Sequence, residues 1–237
     1  MSPNSNLTLV PTADGSNTIY NAQVGENYHS THGALQESRH VFLNAGLVHF
    51  LNQGATRISV LEVGFGTGLN FLLSADYCID NNISLDYTGI EAYPLDKEMI
   101  SQTGYNQYVS PGLWDMFVNY YEEALLKPSQ LSPNCLLQIA NCKLDYFTSV
   151  NQYDMIYFDA FASARQPEMW DEAAIKHTVQ FLKPGGVFVT YAITGNLKRS
   201  LKALGCKVEK VPGAPGKREM LRAVKESEKS GKSESRS

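Results

Sequence analysis

Long apolar runs are missing from this 237-residue chain. Stretches such as Ile58-Ser59-Val60-Leu61 and Val187-Phe188-Val189 stop far short of the roughly 18 residues needed to cross a bilayer, and no charged-then-apolar leader opens the sequence. The expectation is a soluble, unexported, cytoplasmic protein with no membrane partner. Cysteine is scarce: Cys78, Cys135, Cys142 and Cys206 form no Cys-x-x-Cys pair, and the five histidines share no ligand spacing with them. Neither a disulfide framework nor a metal site is expected. An excess of positive charge is also missing. With 20 Lys and Arg against 24 Asp and Glu, a net charge of −4, the chain is not built for indiscriminate polyanion binding. Internal repeats are absent, which excludes a solenoid.

What is present suits one globular domain with a substantial core, at 43% hydrophobic and 19% charged residues. The mean charge conceals a local bias. Between Lys198 and Arg222 only Glu209 and Glu219 oppose a run of basic residues, so one cationic face is expected there.

Leu7-Thr8-Leu9-Val10 and Thr18-Ile19-Tyr20 flank a turn at Asp14-Gly15 and predict a β-hairpin appended to the core. Residues 33–51 carry a mostly helical apolar pattern with a break around Asn44-Gly46. From Arg57 onward strands and helices alternate. Strands are expected at about 58–63, 85–91, 135–140, 153–159 and 186–192, with helices near 69–80, 94–103, 111–127, 169–182 and 195–204. Such alternation specifies an α/β fold with a mostly parallel sheet covered on both faces. Lys183-Pro184-Gly185-Gly186 reads as a helix stop before a buried strand. The last two apolar segments, 207–211 and 219–224, are joined by a short Pro/Gly link and should pair antiparallel. The expected division is an N-terminal hairpin and helical extension at 1–56, a catalytic domain at 57–224, and a disordered polar tail at 225–237.

The chemistry centres on Glu62-Val63-Gly64-Phe65-Gly66-Thr67-Gly68-Leu69-Asn70, glycines at alternate positions between an apolar strand and a helix. Glycines there let backbone approach a ligand closely and aim helix N–H groups at it. The same glycines also make a bare strand-to-helix turn. A dinucleotide loop has the order G-x-G-x-x-G and cradles a pyrophosphate, which a preceding acid repels. Here the order is G-x-G-x-G and the acid is Glu62, which suits the ammonium of S-adenosylmethionine. A second strand, Leu85-Asp86-Tyr87-Thr88-Gly89-Ile90, ends in Glu91, an acid placed to take both ribose hydroxyls. NAD enzymes share that acid, so Glu91 indicates an adenosine cofactor without separating the two. After the third strand, either Asp145 or backbone near Cys142 is the candidate adenine partner.

The fourth strand, Tyr153-Asp154-Met155-Ile156-Tyr157-Phe158, runs into Asp159-Ala160-Phe161. Ligands of open α/β sheets sit beyond the carboxyl ends of the strands, so Asp159 and Phe161 are the catalytic candidates. An acid there accepts N–H bonds from an amine and helps remove a proton, and an aromatic ring stacks on a flat base. A helix cap and ordinary packing remain the alternative roles for Asp159 and Phe161.

Four stretches in one order now carry a resemblance: Tyr28-His29-Ser30-Thr31-His32-Gly33-Ala34-Leu35-Gln36-Glu37-Ser38-Arg39-His40-Val41-Phe42-Leu43; the glycine loop; Phe158-Asp159-Ala160-Phe161 running into Gln166-Pro167-Glu168-Met169-Trp170; and Pro212-Gly213 through Gly216-Lys217-Arg218-Glu219-Met220-Leu221. Together, from about residue 19 to 224, they resemble the MnmC-like tRNA 5-methylaminomethyl-2-thiouridine methyltransferases. The resemblance implies a class I Rossmann-like methyltransferase that uses S-adenosyl-L-methionine to methylate the aminomethyl group of a tRNA wobble uridine. It assigns Glu62, Gly64, Gly66 and Glu91 to the cofactor and Asp159 to the acceptor amine; Tyr28, Ser30, Gly68, Asn70, Cys142 and Asp159 are further candidate cofactor contacts. Tyr28, Ser30, Gly33 and Glu37 become the N-terminal wall of the cleft, although composition alone makes them a helix cap and first turn. Arg165, Lys217 and Arg218 are candidate tRNA contacts, with Lys198 and Arg199 nearby; any one of them is also ordinary solvated surface.

Two departures stand out. Ser163 occupies a position where the family usually has proline. Bifunctional members continue into a flavin-dependent oxidase domain, so a chain ending at 237 is expected to receive its aminomethyl-uridine from a separate enzyme. Other readings of the same residues are a methyltransferase for a small-molecule amine or protein side chain, and a cofactor-binding partner in tRNA modification without catalysis.

Overall fold

The computed structural model describes residues 6–227. The hairpin is present as β1 (Leu7–Pro11) and β2 (Asn17–Asn21), and a two-residue β3 (Glu26–Asn27) completes a small antiparallel sheet. Next comes one continuous helical segment: α1 (Ala34–Ser38), a π-helical stretch Arg39–Val48, and α2 (His49–Leu51). The expected break at Asn44-Gly46 is replaced by this wider winding. Gly46 explains the local sequence, because a Cβ there would sit 3.0 Å from Val189 Cγ1 and 3.2 Å from Tyr157 Cε1, and its absence lets the helix press onto the sheet.

The remaining elements are β4 (Arg57–Val63), α3 (Leu69–Asp80), β5 (Ser84–Glu91), α4 (Lys97–Gln102), α5 (Pro111–Ala124), β6 (Ser129–Ser132), β7 (Cys135–Asn141), β8 (Tyr153–Phe158), α6 (Glu172–Val179), β9 (Leu182–Thr190), α7 (Gly195–Ala203), β10 (Cys206–Pro212) and β11 (Glu219–Lys225). They build an eight-stranded sheet in the order β10-β11-β9-β8-β4-β5-β7-β6. The five central strands are parallel, β11 is antiparallel to both β9 and β10, and β6 adds an antiparallel edge on β7. The chain is thus an α/β protein with the class I methyltransferase sheet.

Three local expectations change. Helix 169–182 is shorter: a 3-10 turn, Pro167–Trp170, precedes α6, whose start is set by Asp171 accepting from the Ala174 N–H at 2.8 Å. The Lys183–Gly186 link lies within β9 as an irregularity, since pairing jumps from Tyr153↔Leu182 to Met155↔Val187. Finally, β11 runs through Lys225, whose ammonium donates to the carbonyls of Val179 and Leu182. The polar tail expected beyond residue 227 lies outside the described residues.

Strand alternation sorts the core into two layers. Ile58 and Val60 face Val41, Phe42, Phe71 and Phe117 of the π-helical stretch, α3 and α5. Leu61 and Val63 face Ile175, Val179, Leu197 and Leu201 of α6 and α7. Glu62, in phase with Ile58 and Val60, is therefore carried under α3 into an apolar layer, where it is 1% exposed.

Candidate active site

Three parallel strands deliver their carboxyl ends to one place. The N–H groups of Gly64 and Phe65 donate to Ile90 O at 3.0 and 3.1 Å, and Asp159 N–H donates to Val63 O at 2.9 Å. The glycine loop is thereby pinned between the ends of β5 and β8. Gly64, Gly66 and Gly68 hold φ of 86°, 53° and 77°, a region L side chains seldom enter. Space is equally short: a Cβ on Gly64 would strike the Asp159 carbonyl, and one on Gly66 would lie 2.9 Å from Tyr28 Cδ1.

A cavity of about 900 Å³ opens beside this loop, within the size range of small-molecule and cofactor pockets. Gly64, Gly66, Glu91, Cys142, Asp145, Asp159, Phe161, Tyr28 and Arg165 line it. Glu91 accepts from Gly66 N–H at 2.9 Å and from Tyr93 N–H at 3.0 Å, which aims its carboxylate across the loop. Loss of water pushes its pKa up, only partly offset by those two donors. Cys142 sits in a turn closed by its N–H on Ala140 O, with its thiol pKa raised by burial.

Below the cavity lies a network of buried polar groups. Asn70 Nδ2 donates to Glu62 Oε1 and to Asp159 Oδ2, each at 2.8 Å, and Tyr87 OH donates to Glu62 Oε2 at 2.8 Å. Burial and the nearby Asp159 push Glu62 well above the carboxylate range. Asp159 is driven up to about 8 by desolvation first and by Glu37 second, against the opposing effects of the Asn70 bond and Lys217. Asn70 Oδ1 is buried without a partner. Two crowded acids, a third across the loop and an orphaned acceptor make the buried floor of the site acidic, with Arg165 and Lys143 the cations that line the cavity. That donor set fits S-adenosylmethionine, which carries a sulfonium and an ammonium, better than a pyrophosphate.

The acceptor side is closed by groups from distant parts of the chain. Tyr28, anchored by its N–H on Ile19 O, meets Phe161 edge-on at 5.1 Å between ring centroids. Glu26 accepts from Ala162 N–H at 3.1 Å, Trp170 Nε1 donates to Phe161 O at 2.7 Å, and Tyr191 OH donates to Ala160 O at 2.9 Å. Of the residues the sequence singles out, Glu62, Gly68 and Asn70 support the cavity from behind rather than line it. Ser30 also stands back, its N–H on Glu37 Oε2 at 2.9 Å and its hydroxyl accepting from His32 N–H, the turn chemistry its composition equally allows. Lys217 Nζ is 2.7 Å from Glu37 Oε1, whereas Arg218 and Arg165 are exposed. Glu26, Trp170 and Tyr191 went unnoticed as members of this wall, because contacts across 136 residues, such as Ala162 to Glu26, leave no local pattern.

A second cavity, about 1060 Å³, opens toward the opposite ends of the strands and contains Ser59, Asp154 and Lys183. Its acid behaves oppositely: burial is outweighed by Lys183 at 2.8 Å and by Ser59, and Asp154 titrates below its ordinary value. A compensated acid has no need of a ligand, so the chemistry is assigned to the glycine-loop cleft. Among the described residues no cluster of three or more His, Cys, Asp or Glu is arranged to hold a metal ion, and no helix is long and apolar enough to cross a membrane.

Comparison with known proteins follows the same lines. Residues 114–226 match the family model described as S-adenosyl-L-methionine-dependent methyltransferase. The chain is 30% identical to the tRNA 5-methylaminomethyl-2-thiouridine biosynthesis bifunctional protein MnmC of Magnetococcus marinus, over 93% of this chain and 35% of that protein. It is likewise 30% identical to the Methylobacillus flagellatus protein of the same name, over 85% of this chain and 33% of that one. The chain thus spans about a third of the length of the curated relatives it matches. Among solved structures, MNMC2 from Aquifex aeolicus superposes with a TM-score of 0.72 at 22% identity, covering 92% of this chain and 70% of that one.

Proposed function

From a chain that resembles the MnmC-like S-adenosyl-L-methionine-dependent methyltransferases over most of its own length, we propose an enzyme that N-methylates 5-aminomethyluridine, with or without a 2-thio group, at the tRNA wobble position. The observation that carries this reading is the buried acid pair, Glu62 and Asp159, bridged by Asn70 beside the glycine loop. Both reactants bring positive charge to it, the cofactor through its amino-acid end and the acceptor as an alkylammonium. When bound, S-adenosylmethionine supplies a methyl carbon whose bond to the sulfonium breaks as the bond to nitrogen forms, leaving a neutral thioether.

This chain's residues do the rest by holding and deprotonating. Glu62 faces the cofactor's ammonium end through Asn70, and Glu91 accepts from ribose hydroxyls while keeping Gly66 in place. An ammonium has no free lone pair, so the acceptor must lose a proton before it can attack. Asp159 accepts its N–H bonds and takes that proton, with a basicity raised toward neutral pH for the task. Phe161, braced by Tyr28, offers a flat apolar face to the pyrimidine ring. Most of the acceleration comes from fixing nitrogen and methyl in line.

Arg165 at the cleft and Arg218 on the terminal hairpin are exposed cations suited to phosphates on either side of the base. Residues 57–224 form the catalytic domain in this reading, and Glu26 and Tyr28 of the N-terminal extension wall its acceptor side. The aminomethyl group is made at another active site, and the protein works with its tRNA in the cytoplasm. Incubation with labelled S-adenosylmethionine and, separately, bulk tRNA from cells lacking the gene, protein extract and small amines tests the reading. Label is expected in tRNA alone, in a nucleoside whose mass is that of methylaminomethyl-uridine or its 2-thio form. Label in protein or small amines and none in tRNA would refute it.

A further inference from the structure

Lys217, on the link between the two strands of the terminal hairpin, turns inward onto a built site. Its Nζ lies 2.7 Å from Glu37 Oε1 and 3.8 Å from the centroid of the Tyr191 ring, a carboxylate and an aromatic face that together satisfy an ammonium. The Glu37 side chain is only 9% exposed, and its other oxygen accepts from Ser30 N–H at 2.9 Å. Tyr191 in turn donates through its hydroxyl to Ala160 O at 2.9 Å. The contacts run in sequence from the N-terminal wall through Lys217 and Tyr191 to the segment that presents Asp159 and Phe161. Gly216 makes room for it: a Cβ there, at φ +87°, would collide with the His32 ring at 2.5 Å.

We infer that Lys217 is a positioning residue for the acceptor loop 159–162, locking that loop between the N-terminal wall and the terminal hairpin, and that it does not contact tRNA phosphate. The inference rests on the proposed reading of Asp159 and Phe161 as the acceptor site. It gives the hairpin a role distinct from that of its neighbour Arg218, which is exposed.

Trp170 reports on the loop directly, because its indole N–H donates to Phe161 O at 2.7 Å and its ring meets Tyr191 at 6.0 Å. The test compares Lys217→Met with the parent protein, both carrying Trp114→Phe so that Trp170 is the sole indole. Expected results are a shifted Trp170 emission, faster hydrogen exchange at the amides of residues 159–162, and kcat lowered by up to about 100-fold. The tRNA KM and the salt dependence of tRNA binding stay as in the parent. Unchanged emission and exchange, with the salt slope of tRNA binding reduced by about 0.9, would instead make Lys217 a phosphate contact and overturn the inference. Should Lys217→Met not melt cooperatively, Glu37→Gln, which weakens the anchor and keeps the lysine, carries the same expectations. If the parent methylates no tRNA the proposed function fails, while emission and exchange still decide the positioning role.

Discussion

Asn70 Nδ2 donates to Asp159 Oδ2 at 2.8 Å while its other hydrogen goes to Glu62. One carboxamide therefore restrains two buried acids, and Asp159 raises the proton affinity of Glu62. In the proposed mechanism Asp159 acts as a carboxylate, and burial pushes its pKa up to about 8. The expected profile of kcat/KM against pH climbs with unit slope and bends near 8. Asn70→Ala removes a bond that favours the charged form, so the bend moves to higher pH. Asp159→Asn abolishes the limb and lowers kcat by roughly 10²–10⁴-fold. A bend that stays put in Asn70→Ala argues that another group titrates.

The same acid ties pH to stability. Its pKa in the fold is raised from an ordinary 3.8 to about 8, so the folded state prefers the protonated form. The stabilisation this gives is complete below about pH 3.8 and is lost as pH rises through 8. Asp159→Asn keeps an oxygen for Asn70 and never ionises. Melting temperatures of variant and parent should coincide near pH 4, separate in favour of the variant between pH 5 and 8, and run parallel above 9. Thermal melts in a single buffer series decide this, and a variant less stable at pH 8 would contradict it.

Much of this was legible in the sequence. Periodicity placed all five parallel strands, because buried strands are short apolar runs with turn residues at their ends. The G-x-G-x-G order, Glu62, Glu91 and Asp159 marked the three strand ends that meet. Other features were not legible for physical reasons. Winding of Arg39–Val48 as π-helix brings Gly46 close against Tyr157 and Val189 across the core, and apolar spacing does not encode that approach. The edge strand β6, Ser129–Ser132, is too short and polar to announce itself. Lys217 reads as surface charge next to Arg218 until Glu37, 180 residues earlier, is seen beside it.

The glycine loop separates binding from folding. Gly66→Ala leaves the strand ends joined but forces a methyl toward Tyr28 at a φ of 53°. Gly64→Ala drives its methyl into the Asp159 carbonyl, a backbone atom with nowhere to move. The left-handed conformation alone costs about 1–2 kcal/mol for a non-glycine residue. Gly66→Ala is therefore expected to fold and to lose affinity for S-adenosylhomocysteine, whereas Gly64→Ala loses several degrees of melting temperature as well. Glu91→Gln provides the control for hydroxyl recognition: losing a charged acceptor weakens binding by about 1.5–3 kcal/mol in titration calorimetry. Equal affinity in Glu91→Gln would remove that residue from the cofactor site.

On the proposed function, a net negative protein must concentrate a few cations to hold tRNA; Arg165 and Arg218 are exposed candidates, and Lys143 also lines the cleft. Arg165 lies at the cavity rim, with its guanidinium 3.6 Å from the position a Cβ on Gly25 would take, and Arg218 lies on the link between β10 and β11. Each phosphate contact contributes about 0.9 to the slope of log affinity against log salt. Alanine at either position should reduce that slope by about one and weaken binding similarly for all tRNAs, because phosphates carry no sequence information. Alanine at both should reduce it by about two, since the sites are independent. Arg57 supplies the comparison, because it is paired with Asp86 beside the opposite cavity and its replacement should leave the slope unchanged. Filter binding across a salt series measures the four variants against the parent, and a slope that falls only for Arg57→Ala would move the tRNA to the other end of the sheet.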